Sequence, residues 1–250
     1  MYYKTSDNLN LYFELQGNPN SLNYLIFLNG LTQSTSSWDQ VLPAFASHYQ
    51  VLLCDFIFQG KSDKQGNVRD FDQHAADVYG LINSLNINKI SLIGISYGSI
   101  VAQNFTLSYP EKVDNLILLS TFAHKTSYSE AMELALDLGP FPFMMNMMLP
   151  MIPFSSNKNH IQNANNDRAA LIKLMTATRL RGDYREKLKG IKKPTLIIHG
   201  EKDNLIPVHM GREVSDSIEA SRFEIIQGAG HTINTESTED VIKLIKEFIY

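Results

Sequence analysis

The chain has 250 residues, a net charge of −4 and a hydrophobic fraction of 44%. These values are typical of a globular protein, and without a basic field we expect no nucleic-acid partner. The single cysteine, Cys54, rules out an internal disulfide and a cysteine-based zinc cluster. No apolar run approaches the ~18 residues of a membrane span, and the first residues lack the pattern of a signal peptide. We therefore expect no transmembrane segment and a cytoplasmic location.

Short apolar runs alternate with segments of helical spacing from the amino terminus onward. The runs in residues 1–5 and 9–17 predict a two-stranded antiparallel edge. Further runs predict strands that are covered on both faces: 23–28, 49–54, 89–94, 113–120, 194–200 and 222–228. Helical spacing occurs in between, at 36–48, 70–86, 97–110 and 239–250. This alternation predicts an α/β fold with a mostly parallel, doubly wound sheet and helices on both faces.

The alternation fails between residues 122 and 190. This stretch has helical character without apolar strand runs, so we predict a helical cap, 122–190, inserted into a core formed by 1–121 and 191–250. The cap is rich in methionine, a residue whose flexible side chain adapts to irregular apolar shapes. Its apolar residues either pack the cap onto the sheet or line a pocket, and the predicted pocket residues are His124, Phe141, Phe143, Met144, Met145 and Met148. Arg179, Arg181 and Arg185 are predicted to form a solvated helix end, with an anion contact as the alternative.

The segment G-I-S-Y-G places Ser96 between Gly94 and Gly98, where a predicted strand gives way to a predicted helix. A turn this tight crowds the backbone, and glycine relieves the crowding where a larger residue would clash. The helix that follows directs its free amides toward the serine, so the N–H of Tyr97 is a predicted oxyanion donor. Alone, the pattern is a weak signal, because a serine nucleophile also needs a base.

Partners for Ser96 follow two later strands. Asp203 lies just beyond the run that ends at residue 200, and His231 lies beyond the run that ends at 228. Reactive groups in such sheets gather at the carboxyl ends of the parallel strands, so we expect the three side chains at one edge.

The G-x-S-x-G turn and the chain order Ser–Asp–His resemble the α/β-hydrolase family. The resemblance covers essentially the whole chain and implies that Ser96 is the nucleophile, that His231 is the general base and then acid, and that Asp203 orients His231. The family pattern H-G-x-x-D selects Asp203 over Glu201. His199 is predicted to be structural, and the remaining histidines outside the pocket are predicted to lie on the solvated surface: His48, His74, His160 and His209.

The loop after the first parallel strand, L-N-G-L-T, resembles the family's oxyanion loop. Family members usually have His-Gly where this chain has Asn29 and Gly30, and the resemblance implies the amide of Leu31 as the second oxyanion donor. The segment C-D-F-I-F-Q-G-K-S is similar to a further family loop, in which Asp55 is expected to brace its neighbours and Gly60 and Ser62 also match. The Asn-Gly pair and this segment also resemble the transferases that join two 3-hydroxyacyl chains into the rhamnolipid precursor.

These observations predict a serine hydrolase without cofactor or metal that cleaves an ester or thioester of a hydrophobic acyl group. Acyl carrier protein or coenzyme A is a possible carrier of the substrate. The same residues would serve an acyltransferase, a carbon–carbon bond hydrolase or a lactonase. A ligand-binding protein without turnover is the alternative of a different class.

Overall fold

A computed structural model describes residues 1–125 and 168–250 of the chain. Six of the residues discussed above lie outside the described residues: Phe141, Phe143, Met144, Met145, Met148 and His160. The core and the proposed site residues outside the cap all lie within them.

In the part of the chain that the structure describes, eight strands form one sheet in the order β1-β2-β4-β3-β5-β6-β7-β8. The strands are β1 (Tyr2–Lys4), β2 (Asn10–Gly17), β3 (Tyr24–Leu28), β4 (Gln50–Cys54), β5 (Ile90–Ile95), β6 (Val113–Leu119), β7 (Thr195–Gly200) and β8 (Ser221–Ile226). The β1–β2 and β2–β4 pairs are antiparallel, and the remaining pairs are parallel. The predicted mostly parallel sheet with an antiparallel edge is confirmed.

Helices cover both faces of this sheet. Among the described residues they are α1 (Phe71–Ser84), α2 (Tyr97–Ser108), α3 (Arg168–Leu180), α4 (Arg185–Leu188), α5 (Val208–Ser217), α6 (Ile233–Glu236) and α7 (Thr238–Ile249). Side chains alternate along each parallel strand, as in β3, where Ile26 and Leu28 join the hydrophobic cluster under α1 and α2. Leu25 and Phe27 join the cluster under α7. None of these helices has the length and hydropathy needed to cross a membrane.

Residues 36–48 depart from the predicted helix. They form two short 3₁₀ turns, Thr35–Trp38 and Leu42–Ala44, instead of one α-helix. Pro43 lies in the middle of the segment and has no N–H to donate to the carbonyl four residues earlier, so one α-helix cannot run through it. The side chain of Trp38 is fully buried and anchors the turns against the sheet.

The prediction that His74 lies on the solvated surface is wrong. His74 has no exposed surface, and its ring lies 5.2 Å from that of Phe56 and 5.8 Å from that of Tyr97. It follows Phe71 by three residues and precedes Val78 by four, so it belongs to the apolar stripe of α1. Burial lowers the pKa of His74 to about 3, so the imidazole is neutral under ordinary conditions.

The prediction of a solvated helix end is wrong for Arg181, although Arg179 and Arg185 are exposed. Arg181 is buried directly after α3, where its Nη2 donates to Oε1 of Gln103 at 2.6 Å. Its guanidinium lies 4.2 Å from the centre of the Tyr184 ring. Burial lowers the pKa of Arg181 to about 9, which leaves it charged at neutral pH. Stacking and hydrogen bonds to neutral oxygens allow arginine to be buried in this way.

Candidate active site

Ser96 occupies a sharp turn between β5 and α2, with φ of 51° and ψ of −115°. Residues other than glycine rarely adopt such backbone angles, so the turn is strained. A Cβ at Gly94 would collide with the carbonyl of Gly98, and a Cβ at Gly98 would collide with the carbonyls of Leu28 and Asn29. The two glycines therefore allow the turn itself and the close approach of α2 to the loop after β3.

The structure brings the three predicted residues together at the carboxyl ends of β5, β7 and β8. Nε2 of His231 lies 3.0 Å from Oγ of Ser96, and Nδ1 of His231 lies 2.8 Å from Oδ2 of Asp203. The side chains of Asp203 and His231 are buried, whereas Ser96 is half-buried. These distances allow a proton to pass from the serine hydroxyl to the imidazole while the carboxylate holds the other ring nitrogen.

The surroundings of Asp203 favour its ionised form. Burial opposes ionisation, but hydrogen bonds from His199 and His231 outweigh it and hold the pKa of Asp203 well below its usual range. The other carboxylate oxygen accepts the amides of Leu205 and Ile206, at 3.0 and 2.8 Å. Nε2 of His199 donates to the carbonyl of Ile206 at 2.7 Å and lies 3.4 Å from Oδ2 of Asp203. His199 thus supports the acid, as expected for a structural residue at a strand end.

Sequence reasoning missed Ser120, which follows β6. Its hydroxyl donates to the carbonyl of His231 at 2.7 Å, so it holds the backbone of the histidine loop. The backbone of Ser120 has a positive φ of 47°. A serine directly after a strand end is the only signal in the sequence, and it is too common to be informative.

Asn29 braces the loop after β3 and is fully buried. Its Nδ2 donates to the carbonyl of Cys54 at 2.9 Å and to Oδ1 of Asp55 at 3.1 Å, while its Oδ1 accepts Nε1 of Trp38 at 2.9 Å. All the polar atoms of this side chain are therefore used in tying the loop to β4 and to Trp38.

Asp55 connects two loops, as the sequence predicted. Its carboxylate accepts the amides of Thr35 and Lys61, both at 2.8 Å. Burial raises the pKa of Asp55 although these hydrogen bonds oppose the shift. The hydroxyl of Ser62 donates to the Asp55 carbonyl at 2.6 Å, and Gly60 packs so closely on the carboxylate that a Cβ would collide with it.

The amides of Leu31 and Tyr97 form no hydrogen bonds within the described residues. Tyr97 is the first residue of α2, where an amide has no acceptor within the helix. Neither amide is therefore committed to another acceptor in the part of the chain that the structure describes.

His124 lies at the edge of the described core and is half-buried. Its Nε2 lies 2.8 Å from Oε2 of Glu213 on α5, and its Nδ1 lies 2.9 Å from the carbonyl of Lys125. These contacts direct the imidazole to α5, so nothing in them supports the predicted pocket role of His124.

Comparison with known proteins shows the family to which the chain belongs. A model of the alpha/beta hydrolase fold matches residues 23–149, which are 127 of the 250 residues. A 2-hydroxy-6-oxo-2,4-heptadienoate hydrolase of Pseudomonas putida is 20% identical over 231 residues, or 86% of this chain and 83% of that protein.

Solved structures are similar over almost the whole chain. A thermophilic esterase from Thermogutta terrifontis superposes with a TM-score of 0.82 at 25% identity, covering 100% of this chain and 97% of that one. The enol-lactonase from Burkholderia xenovorans has a TM-score of 0.86 at 20% identity, with coverage of 100% and 99%. The comparisons support hydrolase activity, and because the family model spans over half of the sequence, the chain belongs to the alpha/beta hydrolase fold family.

Proposed function

We propose that the protein is a serine hydrolase that cleaves an ester or thioester of a hydrophobic acyl substrate. The observation that carries the proposal is the continuous contact from Ser96 Oγ to His231 Nε2 at 3.0 Å and from His231 Nδ1 to Asp203 Oδ2 at 2.8 Å. A hydroxyl, an imidazole and an ionised carboxylate in this sequence of contacts form the arrangement that activates serine for attack on a carbonyl.

In the proposed reaction, Oγ of Ser96 attacks the acyl carbon while Nε2 of His231 takes the hydroxyl proton. Asp203 stabilises the resulting imidazolium and keeps its orientation. The imidazolium then gives its proton to the departing alcohol or thiol, which leaves the acyl group on Ser96. Water attacks this acyl-enzyme and loses a proton to His231, which passes it to Oγ of Ser96 as the bond to the acyl group breaks, so the free acid departs and the hydroxyl is restored.

The negative charge that develops on the substrate oxygen needs donors. The free amides of Tyr97 and Leu31 are proposed for this role, and loss of one such donor typically costs roughly 3 kcal/mol of transition-state stabilisation. Tyr97 also begins α2, so the positive end of the helix dipole contributes at the same point.

The proposed substrate has an aliphatic or aromatic acyl part, because residues 122–190 are rich in methionine and phenylalanine. We propose that this segment is a cap over the site. Its described residues include helices α3 and α4 and contain no strand.

Hydrolysis of a carbon–carbon bond beside a ketone is the second candidate. The relative from Pseudomonas putida supports it, because a 2-hydroxy-6-oxo-2,4-heptadienoate carries a ketone and no ester. Acyl transfer would use the same residues with a hydroxyl in place of water, and products formed with and without a hydroxyacyl acceptor would separate the two reactions.

A substrate panel tests the proposal: p-nitrophenyl esters of increasing chain length, acyl thioesters and a 2-hydroxy-6-oxo-dienoate. We expect turnover of the esters or thioesters, and a loss of at least about a thousandfold in kcat for Ser96→Ala and for His231→Ala. His209→Ala, an exposed histidine on α5, is the control and should keep full activity. Near-normal turnover by Ser96→Ala would refute the proposal, and turnover of the dienoate alone would favour the second candidate.

A further inference from the structure

We infer that Gln59 is a positioning residue for the oxyanion hole, because it holds the peptide unit that carries the N–H of Leu31. The inference rests on the proposed function, in which Leu31 donates to the oxyanion. It extends that function to a residue in the D-F-I-F-Q-G-K-S segment, where the sequence suggested a role only for Asp55.

Gln59 is 3% exposed, and its side-chain amide faces the loop after β3. Its Nε2 donates to the carbonyl of Gly30 at 2.8 Å and to the carbonyl of Leu31 at 3.1 Å. A primary amide has two N–H donors, so one hydrogen serves each carbonyl. Gln59 therefore holds, by one hydrogen bond each, the two peptide units that flank the Leu31 Cα.

Holding a carbonyl also aims the amide of the same peptide unit. In a trans peptide the C=O and the N–H point in opposite directions, so anchoring the Gly30 oxygen directs the Leu31 N–H away from Gln59. The amide of Gln33 donates to the same oxygen at 3.1 Å and adds a second anchor. Gly30 has no side chain to restrict its backbone, so the direction of this N–H depends on such anchors.

The backbone around Gln59 has unusual angles and is fixed by hydrogen bonds. Phe58 has a positive φ of 81°, an outlier for a bulky residue, and Gly60 follows with a φ of 43°. The backbone of Gln59 is fixed in turn, since its amide donates to Phe56 O at 2.8 Å and its carbonyl accepts Nζ of Lys64 at 2.6 Å. Strained backbone of this kind occurs preferentially at functional sites.

Attachment of the loop after β3 does not depend on Gln59. Asn29 ties the beginning of the loop to Asp55 and Cys54, and the amide of Thr35 ties its end to Asp55. Removal of the Gln59 amide should therefore leave the loop in place and loosen only the orientation of the peptides on either side of Leu31.

The test is Gln59→Met, which keeps the shape of the side chain and removes both donors. Gln50→Met is the matched control: Nε2 of Gln50 also donates to two oxygens, Ser21 O at 2.7 Å and Tyr24 Oη at 2.9 Å, but at the amino end of β4. Hydrolysis of p-nitrophenyl butyrate is measured per active site, with sites counted by stoichiometric labelling with a fluorophosphonate. We expect kcat to fall about 10- to 100-fold for Gln59→Met with KM within about twofold, because the donor matters most for the transition state. Gln50→Met should match the wild type.

A kcat for Gln59→Met within twofold of the wild type, or a loss that disappears once active sites are counted, would overturn the inference. If Gln59→Met does not fold, Gln59→Asn replaces it, since the shorter amide cannot reach both carbonyls, and the same outcomes apply. Failure of the proposed function is seen separately, as turnover retained by Ser96→Ala.

Discussion

Replacing His74 by leucine should stabilise the protein, and the gain should increase as the pH falls. His74 lies on the apolar stripe of α1 with no exposed surface, between the rings of Phe56 and Tyr97. Neither of its ring nitrogens has a hydrogen-bond partner among the described residues. His74 thus packs like an apolar residue, and its burial disfavours the protonated form of the imidazole.

The size of the effect follows from the two protonation states. The pKa of His74 is lowered by burial from 6.5 to about 3, so between these values the unfolded chain binds a proton that the folded chain does not. The contribution of His74 to stability therefore falls as the pH drops from about 6.5 to about 3. One pH unit corresponds to ~1.36 kcal/mol, so His74 by itself lowers the free energy of unfolding by about 2 kcal/mol at pH 5 relative to pH 8, and leucine removes this contribution. Asp77, whose pKa burial raises to about 7, titrates in both proteins and cancels in the comparison.

Urea unfolding followed through Trp38, the single and fully buried tryptophan, gives the free energies of unfolding at pH 5 and pH 8. The free energy of unfolding of the wild type is subtracted from that of the variant at each pH, and the two differences are compared. The fit of leucine in the core contributes equally at both pH values, so it does not affect this comparison. His209→Leu, at an exposed histidine, should show no such change. A difference for His74→Leu that is equal at pH 5 and pH 8 would refute the reasoning.

Two further predictions concern the site and the loop beside it. Asp203→Asn should lower kcat by about 10³- to 10⁴-fold with the fold intact by circular dichroism, because an amide no longer holds His231 in the required tautomer; a loss below tenfold would contradict the role of the acid. Gly60→Ala should cost more than about 2 kcal/mol in urea unfolding, because its φ is positive and a Cβ would collide with Asp55. Gly182→Ala is the control, because no atom lies within 4 Å of the new Cβ. It should change the free energy of unfolding by less than about 0.5 kcal/mol. If both variants lower the free energy of unfolding equally, the predicted collision at Gly60 causes no strain.

The strands could be predicted because parallel strands covered on both faces are apolar along their whole length. In β6, the four residues from Leu116 to Leu119 are all buried, although they alternate between the two faces of the sheet. Such runs are visible without knowledge of their neighbours. The helical prediction for 36–48 was wrong because it gave too little weight to Pro43, which is equally visible in the sequence.

His74 and Arg181 show where local pattern is insufficient. Both are polar residues that the structure buries, and what makes burial possible comes from distant parts of the chain. The ring of Tyr97 packs on His74, and Gln103 accepts from Arg181 across 78 positions of sequence. A sequence pattern shows the period of a helix but not the residues that lie opposite it.

The sequence by itself determined the α/β class, and its resemblance to the α/β-hydrolase family selected Ser96, Asp203 and His231, each of which follows a recognisable strand. Only the tertiary structure decided that Nε2 of His231 reaches Oγ of Ser96 and that Gln59 donates hydrogen bonds to the carbonyls of Gly30 and Leu31. The physical reason is that periodicity is a property of neighbouring residues, whereas a hydrogen bond between loops depends on how separate strands are ordered in the sheet and on where each loop turns back.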